Sequence, residues 1–149
     1  EIIDVEDRPI RRWISRYKHR RARHYSFDAL LEENFISQMT VFWRREVHQR
    51  IGFIDDNWKL AFDYEFWLRL ARLADPVYLD RTLACFRWYD TSKSGANYER
   101  QFDEDFRVAQ HHAPLTAAAT MRRKRLKSKL IVLIYKTMAL LRRPVARHA

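Results

Sequence analysis

Glycine is nearly missing from this chain: Gly52 and Gly95 are the two in 149 residues, where average usage of about 7% would supply roughly ten. Glycine lets backbone crowd against a phosphate or turn with positive φ. A Gly-rich phosphate loop is therefore excluded, and so is any P-loop or GxGxxG dinucleotide fold contained wholly in this sequence. The length suits one modest domain, and 47% hydrophobic with 32% charged residues is the composition of a folded chain. A lone cysteine, Cys85, rules out a disulfide scaffold and a cysteine-based zinc site. The first residue is Glu1, so a processed chain or a piece of something longer is expected.

The net charge of +10 is unevenly spread. From Glu1 to Thr120 nineteen basic residues balance nineteen acidic ones. The excess lies in Arg122, Arg123, Lys124, Arg125, Lys127, Lys129, Lys136, Arg142, Arg143 and Arg147, with no acid among them. Such a tail favours anionic partners, acidic lipid headgroups or nucleic acid. Residues 1–25 are too charged to read as a signal peptide. The longest apolar run, Leu130 to Leu141, is interrupted by Lys136 and falls well short of the ~20 residues a membrane-spanning helix needs.

The hydrophobic pattern predicts a mixed α/β chain of short strands and helices. Residues 2–5 read as the end of a strand and residues 6–9 as a turn. Residues 10–25 alternate aromatic and basic types without a clean period, which reads as a strand or an irregular excursion. Ser26 or Asp28 can cap a short helix through Glu33, and residues 38–43 read as a buried strand. Residues 44–50 predict a short helix closed by Gly52. Phe62, Phe66, Leu70 and Leu73 define a helix over 62–74, ended by Asp75-Pro76. Residues 77–79 and 82–88 read as strands, 90–95 as a polar loop and 97–112 as a helix. A long amphipathic helix over 117–142 carries the stripe Leu126, Leu130, Leu133, Ile134, Thr137, Leu140 and Leu141.

The densest chemistry lies in Asp63-Tyr64-Glu65-Phe66-Trp67-Leu68-Arg69. Asp63 falls at a helix N-terminus, where the macrodipole favours a carboxylate able to accept a proton. Glu65, two positions on, points to another side, so the two acids are not a dyad. On the residues alone, the favoured reading is that Asp63 caps the helix, Trp67 fills the core and Arg69 pairs with an acid.

These residues belong to a longer order of motifs. Asn34-Phe-Ile-Ser-Gln38-Met-Thr-Val-Phe-Trp-Arg44-Arg45 precedes Ile51-Gly52-Phe-Ile-Asp55. The Asp63 segment follows, and then Leu83-Ala-Cys-Phe-Arg87-Trp-Tyr-Asp-Thr-Ser92-Lys93-Ser94. Over residues 2–95 this resembles the C-terminal, acceptor-side half of family-two inverting glycosyltransferases of the GT-A fold. The resemblance implies that residues 1–112 are that half-domain and that residues 113–149 are a basic helical tail. It implies Asp63 as the general base, deprotonating an acceptor hydroxyl that attacks a nucleotide-activated sugar with inversion, in polysaccharide or glycan assembly. Trp67 and Arg69 would hold the helix and orient Asp63. Asn34 and Gln38 would lie near acceptor or sugar, or else tie down a loop. Arg87, Ser92, Lys93 and Ser94 would form a loop near the donor phosphates, or else an ordinary polar loop.

Two positions depart from the pattern: Tyr89 stands where many relatives carry a histidine, and Phe62 replaces an acid before the base. The nucleotide-binding half, with its D-x-D element for a divalent metal (Mg or Mn), has no counterpart before Asp63, so the chain is expected to be inactive alone. Asp103-Glu104-Asp105 matches the letters but reads as a solvated acidic helix face. His111-His112 reads as structural or solvent-facing, and Cys85 as a small buried strand residue. The expected partners are a nucleotide-sugar donor and a hydroxyl acceptor, with the protein cytoplasmic or peripheral on the inner membrane face. The tail would lie on anionic lipid or pack on the body. Nucleic acid is the weaker expectation for the aromatic and basic residues 11–25. The rival reading is a non-catalytic module that binds a partner, an anionic membrane or nucleic acid through its basic segments.

Overall fold

The computed structural model describes residues 1–89 and 97–141, a helix-dominated α/β arrangement with two short parallel strands. Strand β1 (Ile2–Ile3) pairs in parallel with β2 (Phe86–Arg87), Ile2 opposite Phe86 and Ile3 opposite Arg87. The turn after β1 closes on Asp4, whose Oδ1 accepts the N–H groups of Glu6 and Arg8, both at 2.9 Å. Ile3 then meets Pro9 in an antiparallel bridge.

Residues 10–25 are not a strand. Arg12–Arg23 form helix α1, with no buried residue and no acid in its first turn. Arginine and lysine are good helix formers, and Arg20, Arg21 and Arg23 sit in the last turn, where the negative end of the helix dipole attracts them. An aromatic and basic mixture without an apolar stripe hides such a helix from a search for periodicity. Helix α2 (Phe27–Glu32) begins as predicted, with Ser26 Oγ accepting the Ala29 N–H at 3.1 Å, and it buries Leu30 and Leu31 completely.

The strand predicted over residues 38–43 is absent. A 3-10 turn spans Gln38–Thr40, with Thr40 N–H bonded to Ser37 O and Val41 N–H to Gln38 O. Phe42 is 77% exposed. β-branched and aromatic residues favour strands only where a neighbouring strand gives them a surface to pack on, and no strand among the described residues lies beside these. The strands predicted at 77–79 and 82–88 fail for the same reason, apart from Phe86–Arg87; Val77 is 86% exposed. The loop predicted at 90–95 lies outside the described residues.

Helix α3 (Val47–Ile51) ends at Gly52, whose N–H reaches His48 O with φ at 77°. Helix α4 (Phe62–Ala71) is the centre of the molecule, burying Tyr64, Glu65, Phe66, Trp67 and Leu68 in succession. Helix buried on every side marks a core element, and each such apolar side chain contributes about 1.5–3 kcal/mol. Around α4 pack α2, α3 and helix α5 (Tyr98–His112). Helix α6 (Ala118–Leu141) lies across α2 and α5. Its first turns enter the core through Thr120 and Lys124, just after buried Ala117, while Leu126, Leu130, Leu133 and Ile134 remain exposed. The side chains of Leu140 and Leu141, like residues 142–149, lie outside the description. No helix among the described residues is long and apolar enough to cross a membrane.

Candidate functional site

Asp63 is the second residue of α4, half-buried. Its Oδ1 accepts the N–H of Tyr64 at 2.7 Å, one of the donors that a helix N-terminus leaves without an intrahelical partner. The five buried residues that follow fix the helix and so fix where this carboxylate stands. Glu65 turns elsewhere, as its spacing predicts. Its carboxylate is buried, accepts Arg69 Nε at 2.8 Å and Nη2 at 2.7 Å, and meets His112 Nε2 at 3.1 Å. Burial pushes the Glu65 pKa up, but the His112 and Arg69 hydrogen bonds outweigh it and hold the group below its ordinary value.

Arg69 spends its remaining donors on backbone. Nη1 donates to Ile51 O and Nη2 to Phe53 O, the latter at 2.9 Å. Arg69 therefore fastens the loop after α3 to the side of α4, with Gly52 between its two carbonyl acceptors. Trp67 is 3% exposed and packs edge-on against Trp43 and Phe66, with ring centroids 5.7 and 5.6 Å apart. Trp67 is thus a core residue and Arg69 is paired with an acid, its contacts running to Glu65 and the loop.

A group of charges that the sequence did not flag surrounds the other side of this helix. Lys124 Nζ donates to Tyr64 Oη at 3.2 Å and lies 4.5 Å above its ring. The Tyr64 hydroxyl bonds in turn to the Leu30 and Leu31 carbonyls, each at 2.9 Å. Desolvation pulls Lys124 down to about 8, against the opposing pull of Asp105, Glu33 and Glu32. Desolvation pushes Asp105 up to about 7; Lys124 and Lys18 oppose this, and the charges of Asp63 and Glu104 add to it. Burial lowers Lys18 too, and Asp63, Glu33 and Asp105 partly restore it. Asp63 thus shares a field with the Asp105 carboxylate and with the partly exposed Lys18. The signal was present in the sequence. Asp105 shares the i, i+3, i+4, i+7 stripe of Val108, Ala109 and His112, and Lys124 shares that of Ala117, Thr120 and Met121.

The acidic run on α5 is consequently not a solvated face. Asp103 alone is exposed, 3.1 Å from Arg107. Glu104 is buried and accepts the N–H groups of Lys59 at 2.6 Å and Leu60 at 2.8 Å, which pins the segment leading into α4. His112 is structural, bonded through its ring to Glu65 and through its carbonyl to Arg72. Cys85 is exposed, not buried, because the strand expected to cover it forms only from Phe86.

The other predicted residues are scattered. Asn34 follows α2 with its Oδ1 buried and without a hydrogen-bond partner among the described residues. Gln38 is exposed at the start of the 3-10 turn. Arg87 is committed to the turn after β1, donating to Asp4 O at 2.7 Å and Asp7 Oδ1 at 2.6 Å. Ser92, Lys93 and Ser94 lie outside the described residues.

The arrangement can present one carboxylate, Asp63, at a fixed point on a rigid helix, and it can take or give a proton there. Among the described residues no group of three or more His, Cys, Asp or Glu could hold a metal ion; the divalent metal that the resemblance implies has its ligands mainly in the nucleotide-binding half, which these residues do not include. Comparison with protein-family models, curated proteins and solved structures finds no match to this chain.

Proposed function

We propose that this chain is the acceptor-side part of an inverting glycosyltransferase of the GT-A fold, with Asp63 as its general base. The observation that carries the reading is the fixed placement of Asp63. It is partly accessible at the first turn of a helix whose next five residues are all buried, and loop 51–53 is fastened to that helix by Arg69. A base must meet the acceptor hydroxyl within hydrogen-bond reach, and a carboxylate on a helix held this firmly stays in place while the acceptor docks. The parallel pairing of β1 with β2 also supports it, since parallel strands belong to α/β sheets covered by helices, and β2 is strand-paired only to β1 among the described residues.

In this reading the acceptor hydroxyl gives its proton to Asp63 while its oxygen attacks the anomeric carbon. The nucleoside diphosphate leaves from the opposite face, so configuration inverts. The donor, and any metal on its phosphates, would be held by residues outside this sequence, and the isolated chain would be inactive. The deciding experiment measures sugar transfer from a panel of nucleotide sugars by the longest natural chain containing this sequence. Asp63→Asn should lower turnover by about 10²–10⁴-fold with donor affinity and melting temperature unchanged. Unaltered turnover would remove Asp63 as the base.

A second reading rests on α6, which exposes Leu126, Leu130, Leu133 and Ile134 beside Arg122, Arg125 and Lys129. That face suits the interface of an anionic membrane, and would place the protein peripherally on a cytoplasmic leaflet.

A further inference from the structure

Helix α1 concentrates positive charge and carries no acid of its own. Its twelve residues hold Arg12, Arg16, Lys18, Arg20, Arg21 and Arg23 with no acid. Arg12, Arg16 and Arg20 follow one another at i, i+4 and i+8, about 6 Å apart along the axis. Like charges at that spacing repel. Arg23 relieves itself on Asp80 at 2.6 Å, and Arg21 donates to the Ala29 carbonyl at 3.1 Å. Arg12, Arg16 and Arg20 form no ion pair among the described residues.

These guanidinium groups line a recess, and they do so together. A half-open cavity of about 740 Å³ between α1 and the start of β1 is lined by Arg12, Arg16, Arg20, Arg23, His19 and His24, with Glu1 as its one acidic wall residue. That volume is in the range of small-molecule sites, not of polymer tracks. Single-stranded nucleic acid is held by a groove with aromatic stacking platforms. Trp13 and Tyr17, the exposed aromatics of α1, are not among the cavity's lining residues. A cluster of arginines in a concave site is the arrangement that donates bidentate hydrogen bonds to phosphate oxygens.

We propose that the cavity lined by Arg12, Arg16, Arg20 and Arg23 is a binding site for a compact polyphosphate anion, a diphosphate group or a small molecule bearing one. The site does not rest on the glycosyl-transfer reading, since none of its residues belongs to the motifs that carry that reading. Two phosphates bring enough charge to answer three unpaired arginines, which a carboxylate or a single phosphate does not.

The test is calorimetric titration of the chain with inorganic pyrophosphate, and with inorganic phosphate as the comparison. Pyrophosphate should bind at least tenfold tighter than phosphate, and Arg16→Gln/Arg20→Gln should weaken it by tenfold or more. The surface variant Arg122→Gln/Lys129→Gln on α6 should leave it unchanged. Because α1 buries no residue, the fold should survive these changes, and Ser15→Asp, which adds a negative charge to the same cavity wall, gives an independent second loss. Adenosine diphosphate and farnesyl diphosphate, titrated in parallel, show whether a nucleoside or a lipid carries the group, by which of them gains over pyrophosphate. Equal affinities would assign recognition to the diphosphate itself. Equal loss in the α6 variant, or no loss in the α1 variants, would overturn the site. So would an oligonucleotide that displaces pyrophosphate with affinity rising with its length, which would mark the helix as a polymer-binding face.

Discussion

The ammonium of Lys124 stands 3.2 Å from the hydroxyl of Tyr64 and donates to it, sixty positions apart in the chain. Through that contact α6 is tied to α4, and through the Tyr64 hydroxyl to the carbonyls that end α2. A lysine at 2% exposure is tolerated only with such partners, and the nearby carboxylate of Asp105 completes its surroundings.

Asp105 makes stability depend on pH in an identifiable direction. Its pKa rises from 3.8 in the unfolded chain to about 7 in the fold, so the stabilising protonated form is complete below about pH 4. That contribution is lost as pH rises through 7. Lys124, depressed to about 8, regains its share only above that value and is flat between pH 5 and 7. Asp105→Asn cannot lose a proton there. Relative to the parent chain it should therefore gain about 1–3 kcal/mol between pH 5 and pH 8, measured by urea unfolding at each pH. A constant difference between the two proteins across that range would contradict the assignment.

Glu65 behaves in the opposite sense. Its folded pKa is lowered, so the stability it supplies is present above about pH 4.5 and fades as pH falls through its folded value. Glu65→Gln strands the half-buried Arg69 guanidinium without its carboxylate and removes the carboxylate partner of the buried His112 ring. A loss of about 3–5 kcal/mol is expected at pH 7, shrinking toward pH 4 in thermal or denaturant melts.

Gly52 separates two kinds of cost. Its φ of 77° with ψ near −175° is a conformation that side-chain-bearing residues rarely adopt. A Cβ there would meet only Arg69 Nη1, at 3.7 Å, an ordinary contact. Gly52→Ala should therefore cost about 1–3 kcal/mol from backbone strain alone. An additional Arg69→Ala change should not relieve that cost. Recovery of stability in the double variant would mean a steric clash instead.

How much of this was legible in the sequence follows from the range of each signal. The helices α2, α4, α5 and α6 were readable because caps and apolar periodicity are local; Ser26 and the run Phe62, Phe66, Leu70 are examples. Strands were over-read at 38–43 and 77–88 because a strand is defined by its neighbour, which no local pattern supplies. Helix α1 was missed because its charge pattern has no apolar face to report a period. At the candidate site, Asp63, Trp67 and Arg69 came from the motif, and the structure places them on one helix. The charges around them did not, since Lys18, Asp105 and Lys124 come from three separate helices and meet only on folding.

The exposed stripe of α6 offers a test of the membrane reading. Removing residues 117–149 would also strip Ala117, Thr120 and Lys124 from the core, so point changes are the cleaner probe. Leu126→Asp/Leu130→Asp/Leu133→Asp should cut co-sedimentation with vesicles of anionic lipid severalfold or more, given ~0.8 kcal/mol for each buried CH₂, with the melting temperature held. Undiminished co-sedimentation would exclude this helix as the anchor.

The entry of Lys124 and Thr120 into the core has a consequence for the chain as it is made. Leu30 and Leu31 emerge from the ribosome early, yet the helix that covers them, α6, emerges roughly ninety residues later. Until then the hydroxyl of Tyr64 lacks its lysine and Glu32 lacks Arg123 and Lys127. Nascent chains that wait this long for a closing element expose apolar surface and become clients of chaperones. The order of synthesis thus makes α6 the latch of this fold, and a translational pause before residue 118 would prolong the open state.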